Sequence, residues 1–264
     1  FHEKLKNYLR QYYYVGGMPE VVKYYVQTKE IFHVREIQNK ILLNYRQDFS
    51  KHIPGSLLTK VNLVWDSVPA QLAKENKKFI YGMLKKGGRA KEFEDAIQWL
   101  VDAGLVFRVN RINKVCMPLK FYEEFNAFKL YLLDLGLLGA MVDAPARNIL
   151  IGDNVFKEYK GAFTEQYVAQ QIVACNVTPK YYNNENSTNE IDFVVQLQSV
   201  YPIEVKAEEN LKSKSMNTLL NENEDMEGWK FSMSSYRTFK QIINIPLYDV
   251  EEWILMYKEK MLEM

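Results

Sequence analysis

"EIDFVVQLQSVYPIEVKAEEN", residues 190–210, sets charge inside two apolar runs of strand length. Glu190 and Asp192 stand at the head of the first run, and Glu204 and Lys206 lie in the second. Side chains alternate along a strand, so Glu190 and Asp192 are expected on one face of theirs, and Glu204 and Lys206 on one face of the next. The other positions, among them Ile191, Phe193, Val195, Ile203 and Val205, are apolar enough that both sheet faces read as covered. Charged groups in such strands are costly unless they pair with one another or hold a cation.

The preceding helical stretch, "KGAFTEQYVAQQIV" (160–173), adds a further acid. Gly161, Ala162, Val168, Ala169 and Ile172 form a stripe of mostly small residues at helical spacing. Glu165 falls within it and is expected to face the sheet. Two carboxylates on adjacent strands, Asp192 and Glu204, suit Mg²⁺ or Mn²⁺, hard cations that take oxygen ligands and keep several waters. Lys206 supplies a point charge for an attacking water or a phosphate. Glu165, Asp192, Glu204 and Lys206 together describe a phosphodiester-cleaving site. An alternative stays open: Glu204 and Lys206 as a plain ion pair on an exposed strand, with Glu190 and Asp192 at a turn.

Around this stretch the chain reads in three parts. Residues 1–54 are helical, with Gly16 and Gly17 ending one helix and Pro19 opening the next. Residues 55–145 give helix, short helix, possible strand, helix and two strand-like runs, an order resembling a winged helix-turn-helix. The hairpin in "LVFRVNRINKVCMPL" (105–119) is expected to turn at Asn110–Lys114. Residues 146–264 give helix, three strands, helix and strand, so the fold class is mixed α+β or α/β. The 47% hydrophobic content suffices for a sizeable core, and 264 residues suggest two or three domains.

Lys and Arg number 34 against 33 Asp and Glu, so any argument for a nucleic-acid partner must be local. One exists: Lys74, Lys77, Lys78, Lys85, Lys86, Arg89 and Lys91 face a single acid, Glu75, with Arg111 and Lys114 at the expected wing tip. That patch suits phosphate contacts to DNA, or a solvated face on a winged-helix module that contacts only protein. Against a polyanion stand Glu208, Glu209, Glu222, Glu224, Asp225 and Glu227, close in sequence to the charged strands. Cys116 and Cys175 suit reduced thiols in a cytosol, and His2, His33 and His52 show no metal-ligand spacing. The apolar stretch Leu130–Val142 is too short to span a bilayer and contains Asp134, so it reads as a buried helix and no membrane partner is expected. The chain opens on Phe1 inside a helical pattern, as a fragment of a longer cytoplasmic protein would, and its oligomeric state is open.

The residues Glu165, "EID" ending at Asp192 and "PIEVK" ending at Lys206 resemble the PD-(D/E)XK nuclease superfamily. The wider set "YYVGGMPEVV", "AIQWLVDAGLVFRV", "YLLDLGLLGAM", "GAFTEQYVAQQI", "NEIDFVV" and "YPIEVKAEENLKSKS" is similar to the uncharacterised C-terminal region that follows the P-loop module in bacterial and archaeal AAA-type ATP-binding proteins. The resemblance implies a helical segment ending an upstream ATPase module (1–54), a winged helix (55–145) and a nuclease-like mixed sheet flanked by helices (146–264). It assigns Asp192 and Glu204 to the metal, Lys206 to the catalytic lysine and Glu165 to the helix acid. The superfamily also holds members that bind without cutting, so a non-catalytic protein- or nucleic-acid-binding module that regulates the ATPase is the alternative function. No G-x-x-x-x-G-K-[ST] occurs here, so ATP is expected only on a module upstream of Phe1.

Overall fold

The computed structural model describes residues 1–74, 76–151, 157–183, 190–208 and 213–262. Helices α1 (His2–Val15), α2 (Pro19–Thr28) and α3 (Val34–His52) form the expected helical segment, with Pro19 as the first residue of α2. The turn between α1 and α2 has no spare room. Gly16 sits at φ +73°, and a Cβ on it would lie 2.4 Å from Asp134 Oδ1. Asp134 Oδ2 accepts from the Gly17 N–H at 2.6 Å, while Oδ1 accepts from the Leu137 N–H at 2.9 Å and caps α6 (Leu135–Met141). Gln38 on α3 donates to the Tyr14 and Val15 carbonyls at 2.9 and 3.0 Å, satisfying the last carbonyls of α1. Arg35 donates to the Gly136 and Ala144 carbonyls. The Gly-Gly-Met-Pro turn and the "YLLDLGLLGAM" stretch are thus two sides of one buried polar joint.

This joint corrects the reading of Leu130–Val142 as one helix. Strand β2 (Glu123–Leu132) runs through the first residues, and Asp134, extended at φ −144°, starts α6 by capping it.

The chain forms two compact units. One comprises residues 10–108 and 129–158. It contains α2, α3, α4 (Gly55–Leu72), a 3₁₀ turn at Tyr81–Met83, α5 (Ala90–Asp102), α6 and α7 (Ala146–Ile151). Phe93, Ala96, Ile97 and Leu100 recur at helical spacing and bury one face of α5. Phe49 meets Trp65 and Trp99 edge to face at 5.7 and 5.4 Å. Gly104, at φ +69°, ends α5, where the Leu105 N–H bonds the Leu100 carbonyl. Among the described residues no strand lies between α4 and α5.

The other unit comprises residues 1–9, 109–128 and 159–264. It holds β1 (Val106–Ile112) from Val109, β2 up to Phe128, and α8 (Lys157–Ala174) from Tyr159. Next come β3 (Lys180–Asn183), β4 (Glu190–Gln196), β5 (Val200–Val205) and α9 (Lys214–Asn221). The chain closes with β6 (Gly228–Ser232), β7 (Arg237–Phe239), β8 (Ile242–Pro246) and α10 (Val250–Leu262). The strands order as β2-β1-β3-β4-β5-β6-β8-β7, a mixed sheet, so the fold is α+β as expected. The expected hairpin tip at Asn110–Lys114 shifts, because β1 continues to Ile112 and its partner begins at Glu123. Arg111 and Ile112 pair in parallel with Tyr181 and Tyr182 of β3. The short edge strand β7 was not legible in its exposed Arg-Thr-Phe.

The two faces of this sheet differ. On one, Tyr201 stacks on Trp229 at 4.3 Å, and Tyr257 and Trp253 of α10 close on the same indole at 4.8 and 6.1 Å. On the other, α9 lies so close over Gly228 that a Cβ there would stand 2.7 Å from Met216 Sδ.

Gly16→Ala is expected to destabilise the protein by at least about 2 kcal/mol, from the positive φ and the overlap with Asp134. Asp134→Ala is expected to cost roughly 2–3 kcal/mol by removing a cap and stranding the Gly17 N–H. Urea unfolding measures both, and midpoints equal to wild type would show that the joint is not structural.

Candidate functional site

Glu204 lies on β5 and is buried, at 6% exposure. Its Oε1 is 2.7 Å from Lys206 Nζ, as alternation along the strand end requires. Its Oε2 is buried and has no hydrogen-bond partner. A buried carboxylate oxygen left without a donor carries a penalty of about 1–3 kcal/mol or more, so the position asks for a further positive group.

Asp192 lies on β4, half-buried, with Oδ2 accepting from the Val205 N–H at 2.7 Å. That bond ties it to the backbone between Glu204 and Lys206. Strict alternation does not carry through Asp192. The register runs from Tyr182↔Ile191 to Lys180↔Val194, so two steps on β3 span three on β4 and the irregularity falls at Asp192 and Phe193. Bulges re-aim side chains in this way beside functional sites. Glu190, which alternation places with Asp192, sits at the strand start, where Asn183 Nδ2 reaches its carboxylate at 3.4 Å.

Glu165 on α8 is buried at 3% exposure, and its stripe-mates Ala162, Val168, Ala169 and Ile172 are buried with it. Gly161 is exposed, so it does not belong to the packed stripe. The electrostatics of Lys206 bring the set together. Burial would depress its ammonium, but the Glu204 hydrogen bond and the charges of Glu204, Asp192 and Glu165 outweigh that and hold it above the ordinary lysine value. Glu204, Asp192 and Glu165 thus lie within electrostatic reach of Lys206.

Sequence reading missed Lys230 on β6, which pairs in register with Glu204 and is 2% exposed. Burial holds its ammonium below the ordinary lysine value, Glu204 offsets part of that, and the charge of Lys206 adds to it. Its signal was a lysine inside the otherwise apolar "GWKFS". A separate buried pair was also missed: Lys180 Nζ lies 2.6 Å from Glu123 Oε1, which also accepts from Asn110. Burial opposes the Glu123 charge, yet Lys180 and Asn110 hold its carboxyl below the ordinary value.

Oxygen donors and an orphaned buried carboxylate atom fit a hard divalent cation at Asp192 and Glu204. Among the described residues no three His, Cys, Asp or Glu side chains gather closely enough to hold a metal. The acids near it in sequence are partly committed elsewhere. Glu227 accepts from Trp229 Nε1 and the Tyr257 hydroxyl, both at 2.8 Å, and Glu208 lies 3.7 Å from Lys160, while Glu209 is outside the described residues.

Of the basic positions, Lys85, Lys86, Arg89 and Lys91 are exposed around the 3₁₀ turn and the start of α5, with Lys85 3.5 Å from Glu92. Lys74 bonds Gln71, and its neighbour Glu75 is outside the described residues. At the expected wing, Arg111 is held by Glu124, and Lys114 lies 5.6 Å over the Tyr122 ring. Both cysteines are free thiols, Cys175 pushed up to about 11 by burial, with Glu251 adding and Lys258 opposing. No described helix is long and apolar enough to cross a membrane.

A family model described as a domain of unknown function, DUF4143, matches residues 160–248, the stretch that holds Glu165, Asp192, Glu204, Lys206 and Lys230. No curated protein and no solved structure matches the chain. A second model, the domain of unknown function DUF8612, matches residues 6–148, which is more than half of the sequence, and the chain belongs to that family.

Proposed function

We propose that residues 160–248 carry a metal-dependent, PD-(D/E)XK-type site that hydrolyses DNA phosphodiesters, within the C-terminal part of an AAA-type ATP-binding protein. The observation that carries this reading is Glu204, a buried carboxylate with one oxygen on Lys206 and the other unpartnered. Asp192 and Glu204 would hold Mg²⁺ or Mn²⁺. When bound, such a cation acidifies a coordinated water and balances charge on a phosphoryl oxygen. Lys206, kept charged by its three acidic neighbours, orients the attacking water and donates to the phosphate. Glu165 keeps that ammonium protonated from the helix side. The exposed Lys85, Lys86, Arg89 and Lys91 would add sequence-independent contacts to the DNA backbone. The ATPase assignment rests on the sequence resemblance, which places the nucleotide site on an upstream module.

The second reading, a non-catalytic module regulating that ATPase, is favoured by the Lys206–Glu204 pair at 2.7 Å, which can order the sheet without a metal. Calorimetric titration with Mg²⁺ and Mn²⁺ separates the two. Asp192→Asn keeps an acceptor for the Val205 N–H and Glu204→Gln keeps the shape, so both should stay folded while losing metal binding. Lys206→Met should bind metal yet cut plasmid and single-stranded DNA at least about 100-fold more slowly. A wild-type chain that neither binds metal nor cuts would select the regulatory module.

Lys206 also makes a pH prediction. Its folded-state value is raised, so its contribution to stability is complete below the ordinary lysine value of about 10.4 and is lost as pH rises through the higher folded value. Glu204→Gln should flatten that alkaline loss in urea-midpoint profiles, and an unchanged profile would mean the pair contributes nothing.

Lys85→Glu with Lys86→Glu should weaken binding to any DNA sequence and reduce the salt slope of log K by about 2. An unaltered slope would remove this segment from the DNA contact surface.

A further inference from the structure

A second polar cluster lies at the far end of β4 from the candidate site. Gln196 closes β4 four residues after Asp192, which puts it about 14 Å away at the usual rise per residue. A cavity of about 510 Å³ opens there, lined from β2, β3, the end of β4 and α10. All its described lining residues belong to one compact unit.

The buried pair of Lys180 and Glu123 forms part of the lining. Glu123 Oε1 accepts from Lys180 at 2.6 Å and from Asn110 Nδ2, so the one carboxylate among the described lining residues is already neutralised. Lys120 and Lys258 line the same cavity, and neither forms an ion pair among the described residues. Lys258 gives one of its three protons to the Cys175 carbonyl at 2.8 Å, and Lys120 is exposed. Three lysines against one glutamate leave two positive charges on the lining. The Gln196 oxygen accepts from the Leu119 N–H at 2.8 Å, which leaves its amide hydrogens for another acceptor. The charged and amide groups here therefore offer donors in excess. The apolar part of the lining includes Leu119, Leu197 and Phe125, the last 69% exposed.

We infer that this cavity binds a small organic anion, its charged group held by Lys120 and Lys258 and its apolar body laid against Phe125 and Leu119. A lining with spare donors and a net positive charge calls for a ligand rich in acceptor oxygens, to which ammonium groups make short, charge-assisted hydrogen bonds. A concave surface of one sign also concentrates counter-ions from solution. Mostly apolar walls with a few polar groups that fix orientation are the make-up of small-molecule sites. The Lys180–Glu123 pair serves the site as rigid support, because each partner satisfies the other's charge and leaves the remaining two lysines for the ligand. Phosphate monoesters and dicarboxylates share the chemistry required. The inference stands apart from the hydrolytic reading, since none of the residues assigned to that reaction lines this cavity.

The test is a fluorescence titration at low salt with anilinonaphthalene sulfonate, a dye that joins an anionic group to an aromatic body. The dye should bind saturably, and phenyl phosphate or phthalate should displace it. Both competitors are aromatic dianions, so the one that displaces better tells a phosphate ligand from a dicarboxylate. Lys120→Glu and Phe125→Ala, both at exposed positions, should each weaken dye binding about tenfold. Lys214→Glu, the same change of charge at an exposed position of α9, should leave it unchanged. Dye binding unaltered by Lys120→Glu or by Phe125→Ala, an equal loss from Lys214→Glu, or displacement by neither dianion would each overturn the assignment.

Discussion

One buried carboxylate fixes much of this sheet. Glu204 stands in β5 with a strand on either side, β4 and β6, and it faces Lys206 across a 2.7 Å contact and Lys230 across the parallel register. Burying a charge costs several kcal/mol unless partners replace the lost water. Here two ammonium groups do so unequally: Lys206 is held above its ordinary value and Lys230 below its own. The sheet must keep these strands in this register, because a slip of one residue would carry Glu204 to the aromatic face and leave both lysines without it.

The other unit depends on a comparable device in backbone form. Asp134 satisfies the Gly17 and Leu137 N–H groups with its two oxygens, and Gln38 satisfies two carbonyls at the end of α1. Residues more than a hundred positions apart in sequence therefore fix one turn. Gly16 is required there by both conformation and space, which explains the Gly-Gly-Met-Pro turn without any catalytic role.

The local pattern made some features legible and hid others. Helical spacing in α5 and α8 and the apolar runs of β4 and β5 are properties of short windows, and they read correctly. Glu165, Asp192, Glu204 and Lys206 could be grouped because the alternation of Glu204 and Lys206 and the small-residue stripe around Glu165 are also local. Lys230 could not, since its meaning comes from pairing with Glu204 across a parallel connection that includes α9. The same holds for Lys180 and Glu123, which meet only because β1 pairs with β3. The Leu130–Val142 stretch misled because a strand and a helix packed end to end give one unbroken apolar run, and only the cap at Asp134 divides them.

Adjacent residues of β6 show how the sheet supports both tasks. Trp229 points into the stack with Tyr201, Tyr257 and Trp253, while Lys230, the next residue, faces the other way, in register with Glu204. Aromatic burial is the largest apolar gain that single residues can supply, and here it is concentrated on one face. The opposite face carries α9 on Met216, Leu219 and Leu220 at one end and a row of polar groups at the other. A sheet anchored firmly on one side tolerates costly charge on the second. Of the acids that would repel a polyanion, Glu227 spends its carboxylate on the Trp229 and Tyr257 donors of the aromatic cluster. The polar row thereby keeps Lys206 and Lys230 beside Glu204.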